Sequence, residues 1–176
     1  MESIFNLNNQ NSNLDSKIVA GLDRISQVFK TLLWEKSKTY NLSPIQIQLL
    51  IFIAYHSSEK TTVSYLSQEF NLSKPTISDT IKTLEQKQFI NKIVDKKDTR
   101  SYRITLTETG KNIVLETENF VNPLTEIITN SKQNDKLVLW ENITNIIEQL
   151  NELKIISVQR TCFKCKFYSV NNNKSF

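Results

Sequence analysis

The chain has 176 residues, of which 39% are hydrophobic, and it carries a formal net charge of +4 with an isoelectric point near 9.0. This length predicts one domain, or one domain with an elaborated scaffold. The longest unbroken apolar run, 49–55, has seven residues, whereas a membrane-spanning helix needs about 20. The Asn-rich segment 1–13 lacks the basic and apolar regions of a signal peptide. We therefore expect a soluble, cytoplasmic protein without a membrane partner.

Scarce glycine and histidine argue against several classes of enzyme. The sequence contains two glycines, Gly21 and Gly110, and one histidine, His56. Phosphate-binding loops and dinucleotide turns need several glycines so that backbone N–H groups can approach the anion. Histidine-based metal sites and the usual Ser-His-Asp machinery need more histidine than the chain has. We expect a protein that is not an enzyme.

The positive charge is concentrated in a short part of the chain. Segment 74–103 holds eight basic and four acidic residues, so its net charge equals that of the whole chain. Segment 154–176 adds five basic residues and no acid, while 104–153 is acidic. A local excess of positive charge is what binding to a phosphate backbone requires.

The first part of the chain reads as helices in close succession. Apolar spacing predicts a helix over about 14–40, and its length of about 40 Å exceeds what a small core covers. Ser43 as N-cap, Pro44 at the first position and Gln46 in a capping box predict the start of the next helix. A short helix over about 63–70, a tight turn at 71–73 and a capped helix over about 74–87 follow.

The period then changes from helical to alternating. Two short strands, about 90–94 and 102–106, flank the polar loop 95–101, which predicts a β-hairpin. Thr107 caps a further helix reaching about residue 130, which Pro123 should kink or break. A final helix from about residue 135 carries a long apolar seam from Leu137 to Leu153.

This order of elements predicts a mainly α protein with a small β-hairpin wing. It corresponds to a winged helix-turn-helix domain with long N- and C-terminal dimerisation helices. In such folds the second helix of the pair enters the major groove. We expect its apolar stripe (Ile77, Ile81, Leu84) to pack on the core and its other side to meet double-stranded DNA. The candidate DNA-binding residues of this region are Ser73, Lys74, Thr76, Ser78, Asp79, Lys82 and Thr83. Asp79 would either accept a bond from a cytosine amine or disfavour wrong sequences.

The hairpin loop supplies a second set of candidates. An arginine side chain suits a narrow, strongly negative minor groove, and Arg100 is the obvious one. Asp98 is placed to pair with its guanidinium and hold it extended. Lys96 and Lys97 would then lie near phosphates, although solvated lysines are common in loops.

Residues 43 to 110 resemble the MarR family of bacterial regulators. The stretch LSKPTISDTIKTLEQKQFINKI resembles that family's recognition helix and first wing strand, and DKKDTRSYRITLTETG resembles its wing. The resemblance implies a homodimer that binds a pseudo-palindromic operator, generally as a repressor. Asp79 departs from the pattern, because a basic or neutral polar residue would suit that position better.

The resemblance also implies a division of the chain into four parts. They are an N-terminal tail and dimerisation helix (1–40), the DNA-binding domain (41–110), C-terminal dimerisation helices (111–158) and a basic tail (159–176). Members of this family often sense small aromatic effectors between the dimer helices and the DNA-binding domain. Candidate pocket residues are Trp34, Tyr40, Tyr55 and His56. Aromatic side chains at helical spacing are also typical of a core, and His56 fits a helix end.

The basic tail contains one CxxC pair, Cys162 and Cys165. The two thiols are either unremarkable, a redox switch favoured by the neighbouring basic residues, or half of a zinc site. Zinc generally needs four ligands, so the other two would come from the partner subunit or from further along the chain. The second source is considered because the tail resembles the opening of a Cys-rich extension found in some winged-helix regulators. A thiol oxidoreductase is the enzymatic alternative, but no thioredoxin-like βαβ pattern surrounds the pair.

The other alternative to a DNA-binding regulator is a winged-helix module that binds protein or RNA.

Overall fold

The structure is a computed structural model, and it describes residues 3, 5–94 and 102–158. The described residues form helices and one hairpin. In chain order these are α1 (Leu7–Ser12), α2 (Leu14–Tyr40), α3 (Pro44–Tyr55), α4 (Val63–Glu69), α5 (Lys74–Gln86), β1 (Ile90–Val94), β2 (Tyr102–Leu106), α6 (Glu108–Thr117), α7 (Asn122–Thr129) and α8 (Gln133–Glu152). Short 3₁₀ turns occupy Ser58–Lys60 and Glu118–Val121. The predicted mainly α fold with a two-stranded wing is confirmed.

The helix starts follow the polar caps in the sequence. The Ser43 hydroxyl accepts from the Gln46 N–H while the Gln46 side chain accepts from the Ser43 N–H, which is the predicted capping box. The hydroxyls of Thr62, Ser73 and Thr107 cap α4, α5 and α6, each by accepting from one backbone N–H in the first turn. Each cap satisfies a backbone N–H that the helix itself leaves unpaired.

Several helices end at a left-handed residue that is not glycine. Asn41, Asn71, Gln88 and Lys154 have φ between 50° and 60°. After each of them an apolar residue donates its N–H back to the last turn, as Phe89 does to the Leu84 carbonyl at 3.0 Å. This is the closure that glycine usually provides. At these four helix ends the chain thus makes its sharp turns without glycine.

The core lies among α3, α4, α5, α6 and the hairpin. Helix α3 is apolar almost all round, and Ile47, Leu49 and Leu50 are fully buried. A helix that is hydrophobic on every side belongs in the centre of a domain. The predicted stripe of α5 packs there, since Ile77, Ile81 and Leu84 have no exposed surface.

The wing is an antiparallel pair in the register Ile90↔Leu106 to Val94↔Tyr102. Its inner edge is tied to the core by Thr61, whose backbone and hydroxyl oxygens both accept from the Ile104 N–H, at 3.2 and 3.3 Å. Thr61 itself is 1% exposed. The hairpin is therefore fixed at its base to the segment between α3 and α4.

The helix predicted to run from 108 to about 130 is broken, as the proline indicated. The break occupies Glu118–Val121, and Pro123 lies at the start of α7, where its missing N–H is harmless. Helix α1, in the Asn-rich start, was not predicted; it packs against α2, and the Asn9 side chain donates to the Ser16 hydroxyl at 3.3 Å. Among the helices of residues 5–94 and 102–158, none combines the length and hydrophobicity of a membrane span.

Candidate nucleic-acid interface

Helices α4 and α5 form the predicted helix-turn-helix. The turn is closed by the Leu72 N–H, which donates to the Ser67 carbonyl at 2.9 Å, with Asn71 in the left-handed region. Ser73 then caps α5, and Pro75 lies in its first turn. Because Leu66 of α4 and the α5 stripe share one core, the orientation of α5 is set by packing rather than by the turn alone.

The opposite side of α5 is open to solvent. Lys74, Thr76, Asp79 and Lys82 are exposed, whereas Ser78 and Thr83 are half-buried beside the apolar stripe. The side of α5 opposite the buried stripe therefore presents two lysines, Thr76 and Asp79 to solvent. Gln86, one turn beyond Lys82, is also exposed and extends this surface toward the end of the helix.

Three of the candidate hydroxyls already have partners within the helix. The Ser73 hydroxyl accepts from the Thr76 N–H at 3.2 Å and lies 2.8 Å from the Thr76 hydroxyl. The Thr83 hydroxyl donates to the Asp79 carbonyl at 2.9 Å. Ser73 and Thr83 thus act first in capping and in helix packing, and any contact they make with a ligand is additional.

The basic residues of segment 74–103 differ in their surroundings. Lys87 donates to the Asn41 carbonyl at 2.6 Å, which ties the end of α5 to the end of α2. Lys92 forms an ion pair with Glu85. Lys74 and Lys82 make no ion pair within residues 5–94 and 102–158. The count of positive charges therefore overstates the number of ammonium groups that are available to an anion.

A close joint connects the end of α5 to the start of α6. The Thr107 hydroxyl donates to the Gln88 carbonyl at 2.7 Å and accepts from the Gly110 N–H at 3.0 Å. The Thr107 N–H donates to the Phe89 carbonyl at 3.0 Å. Gly110 lies against that same carbonyl, where a Cβ would overlap the oxygen. Through Thr107 and Gly110, the LTETG sequence thus holds the hairpin and the end of α5 against the start of α6.

Several predicted residues lie outside the part of the chain that the structure describes. These are the wing-loop residues Lys96, Lys97, Asp98 and Arg100, and the pair Cys162 and Cys165. Within the described residues, no group of three or more His, Cys, Asp or Glu side chains is arranged to hold a metal ion.

The predicted pocket residues do not share one cavity. Tyr55 and His56 line a cleft of about 450 Å³ together with Phe52, Phe70 and Phe120. The His56 ring stacks on Phe52 with centroids 3.7 Å apart, and its Nδ1 lies 2.9 Å from the Phe52 carbonyl oxygen. Trp34 lines a separate cleft of about 300 Å³ at the end of α2.

Two tyrosines join the first helices to the α6 region through glutamates. The Tyr40 hydroxyl donates to Glu116 at 3.3 Å, and the Tyr55 hydroxyl donates to Glu118. Burial and the neighbouring Glu116 carboxylate raise the pKa of Tyr40, and the hydrogen bond to Glu118 raises the pKa of Tyr55. Each bond links a helix next to the core to the segment where α6 breaks.

Sequence reasoning missed the roles of Glu85 and Lys92. Their ion pair joins the last turn of α5 to the first wing strand. The two residues are seven positions apart across a change from helix to strand, so neither a helical nor a strand period indicates that they meet.

Comparison with known proteins agrees with this architecture. Residues 40–101 match the sequence pattern of the MarR family. The chain is 31% identical over 81 residues to the HTH-type transcriptional regulator SarZ of Staphylococcus haemolyticus, which covers 44% of this chain and 55% of SarZ. It is 29% identical over 119 residues to the HTH-type transcriptional regulator YwaE of Bacillus subtilis, covering 66% of this chain and 68% of YwaE. The match to SarZ thus spans about half of that protein.

Solved structures share the fold. MepR of S. aureus, in a crystal structure of its DNA-binding conformation, superimposes with a TM-score of 0.67 at 21% identity, covering 76% of this chain and 98% of MepR. FabT of Streptococcus pneumoniae, crystallised in complex with DNA, gives 0.66 at 22% identity, covering 78% and 97%. Both sequence relatives are named as HTH-type transcriptional regulators. The chain is thus similar to the MarR family over residues 40–101, and its described residues have the winged-helix fold of these solved structures.

Proposed function

We propose that the protein binds double-stranded DNA as a homodimer and represses transcription from a pseudo-palindromic operator. The observation that carries the proposal is the surface of α5. Its apolar stripe is fully buried, while Lys74, Lys82 and Thr76 are exposed on a rigid helix beside the hairpin. Regulators of the same fold, MepR and FabT, have been crystallised with DNA.

The proposed contacts divide by kind. Lys74 and Lys82 are compact cations that suit phosphates, and Thr76 and Asp79 lie where base edges would be reached. Ser78 and Thr83, half-buried, would contribute from the margins of the helix. For the wing, the proposal keeps Arg100 in the minor groove with Asp98 as its partner and Lys96 and Lys97 near phosphates.

The homodimer is supported by apolar surface that one chain leaves uncovered. On α2, Leu14, Ile18, Leu22, Ile25 and Phe29 recur at helical spacing and are between 39% and 70% exposed. On α8 the only buried residue is Thr144, and Leu137 and Trp140 on the helix and Leu153 at its C-cap are at least half exposed. Long apolar stripes of this kind are typical of subunit interfaces. A second copy also provides the symmetry that a palindromic site requires.

We further propose that the Tyr55 cleft receives a small aromatic effector. Three phenylalanines line it, and Tyr55 connects its rim to Glu118 at the break after α6. A ligand in this cleft would press on the segment between the DNA-binding part and the α7–α8 region. Trp34 and Tyr40 would act outside this cleft, since Trp34 lines another one and Tyr40 bonds to Glu116.

Fluorescence anisotropy with a labelled duplex tests the DNA-binding proposal. The duplex is taken from the region upstream of the gene and located by footprinting. We expect the logarithm of affinity to fall steeply and linearly with the logarithm of salt concentration, because cations on the protein release counterions from phosphates. Lys82→Ala should lower that slope by about one, whereas Lys17→Ala, the same charge change on α2, should leave it unchanged. Affinity that stays constant with salt would contradict the proposal.

A further inference from the structure

Lys92 lies at the base of the wing between two other elements. Its ammonium forms an ion pair with Glu85 on the last turn of α5 and lies 5.2 Å from the ring centroid of Tyr102 on β2. The Lys92 side chain is 25% exposed and that of Glu85 is 41% exposed. An ammonium held by a carboxylate and the face of an aromatic ring is restrained on two sides.

The strand register explains why these groups meet. Lys92 pairs with Ile104 and Val94 pairs with Tyr102, so Lys92 and Tyr102 are diagonal neighbours on one face of the hairpin. Ile104 on that face is 1% exposed, which places the face toward the core. The three side chains therefore join α5, β1 and β2 at the point where the wing leaves the domain.

We propose that Lys92 is a positioning residue that sets the angle between the recognition helix and the wing, and that it does not bind phosphate. The inference rests on the proposed function, because this angle matters where α5 and the wing contact DNA together. A phosphate reaching Lys92 would have to displace Glu85 and leave that carboxylate beside a polyanion. The cation instead neutralises Glu85 and holds the wing base against the end of α5.

The direction in which Glu85→Gln changes DNA affinity distinguishes a positioning role of Lys92 from phosphate binding. If Lys92 were a phosphate ligand held back by Glu85, then Glu85→Gln would free it and tighten DNA binding. Under our proposal Glu85→Gln weakens binding about three- to tenfold, the range expected for the coupling of contacting residues. Asp79→Asn is the matched control: it also removes an acid from α5, but from the open face, and should strengthen binding to a non-specific duplex.

A double-mutant cycle provides the second arm of the test. Lys92→Met should weaken binding to a similar extent, and the double variant Lys92→Met/Glu85→Gln should be no weaker than either single variant, because one interaction is removed in all three. Lys92→Arg should retain affinity, since a guanidinium also pairs with a carboxylate and stacks on a ring. Tighter binding by Glu85→Gln, additive losses, or a lowered melting temperature with unchanged affinity would each overturn the proposal.

Amide hydrogen exchange distinguishes this inference from the proposed function. In the protein without DNA, Lys92→Met should speed exchange in 90–94 and 102–106 and leave α3 unchanged. Wild-type protein that binds no duplex even at low salt would refute DNA binding but not this restraint on the wing. Unchanged exchange in both strands would refute the restraint, whatever the DNA result.

Discussion

Replacing Gly110 with alanine tests the joint between the wing and α6. A Cβ built on Gly110 overlaps the Phe89 carbonyl oxygen and lies 3.0 Å from its carbon and 3.4 Å from its Cα. All three neighbours are backbone atoms, so no flexible side chain can move aside. The carbonyl is also held by the Thr107 N–H at 3.0 Å. The whole connection between α5 and α6 must shift to accommodate one methyl group.

The expected loss of stability combines three effects. Forcing a methyl group into a filled space costs about 3 kcal/mol at the upper end of the usual range. A weakened Thr107–Phe89 hydrogen bond adds about 1 kcal/mol. The higher helix propensity of alanine returns about 1 kcal/mol, since Gly110 lies within α6. We expect the free energy of unfolding to fall by about 3 kcal/mol.

Urea denaturation monitored by circular dichroism, at fixed protein concentration, measures this change. The chain provides a matched control in its other glycine: Gly21 lies within α2 with no atom near a built Cβ. Gly21→Ala should leave the free energy of unfolding unchanged or raise it by up to about 1 kcal/mol. Equal stability of Gly110→Ala and wild type would refute the steric reasoning. A smaller loss accompanied by weaker DNA binding would mean that the joint yields by moving the wing.

Four further outcomes are expected. Arg100→Ala should cost about 1–3 kcal/mol of DNA-binding free energy if the arginine reads a groove, and an unchanged affinity would exclude that role. Leu22→Asp should shift the protein from dimer to monomer in sedimentation, because a buried unpaired charge costs several kcal/mol; a wild-type monomer at micromolar concentration would contradict the dimer. The raised pKa of Tyr55 means that its bond to Glu118 is lost only as pH rises through that pKa. Because the pKa of Tyr40 is raised too, ultraviolet titration of wild type should show two late-titrating phenols, and Tyr55→Phe should lose one of them. The Cys162→Ser/Cys165→Ser variant should lose any metal content and any dependence of operator affinity on oxidants, and identical behaviour of wild type would make both thiols bystanders.

Local signals in the sequence predicted the elements from α2 onward and their order, whereas α1 was missed. The capping box at Ser43, the cap at Ser73 and the change of period after residue 87 each act within a few residues, so their meaning does not depend on the rest of the fold. The narrow stripe of α5 likewise predicted which side of that helix would be buried. The sequence indicated the helix ends at Asn41 and Gln88 less clearly than it indicated the helix starts, because the residue that most often marks a helix end is glycine.

Tertiary structure decided which side chains remain available and which are used internally. In the sequence Lys82, Lys87 and Lys92 are equivalent positive charges. Only the fold brings the Asn41 carbonyl to Lys87 and the Glu85 carboxylate to Lys92. Tyr55 and His56 share a cleft because α3 ends beside Phe120, a residue more than sixty positions away. Contacts of this kind join elements that meet only in the folded domain, so no local period or spacing encodes them.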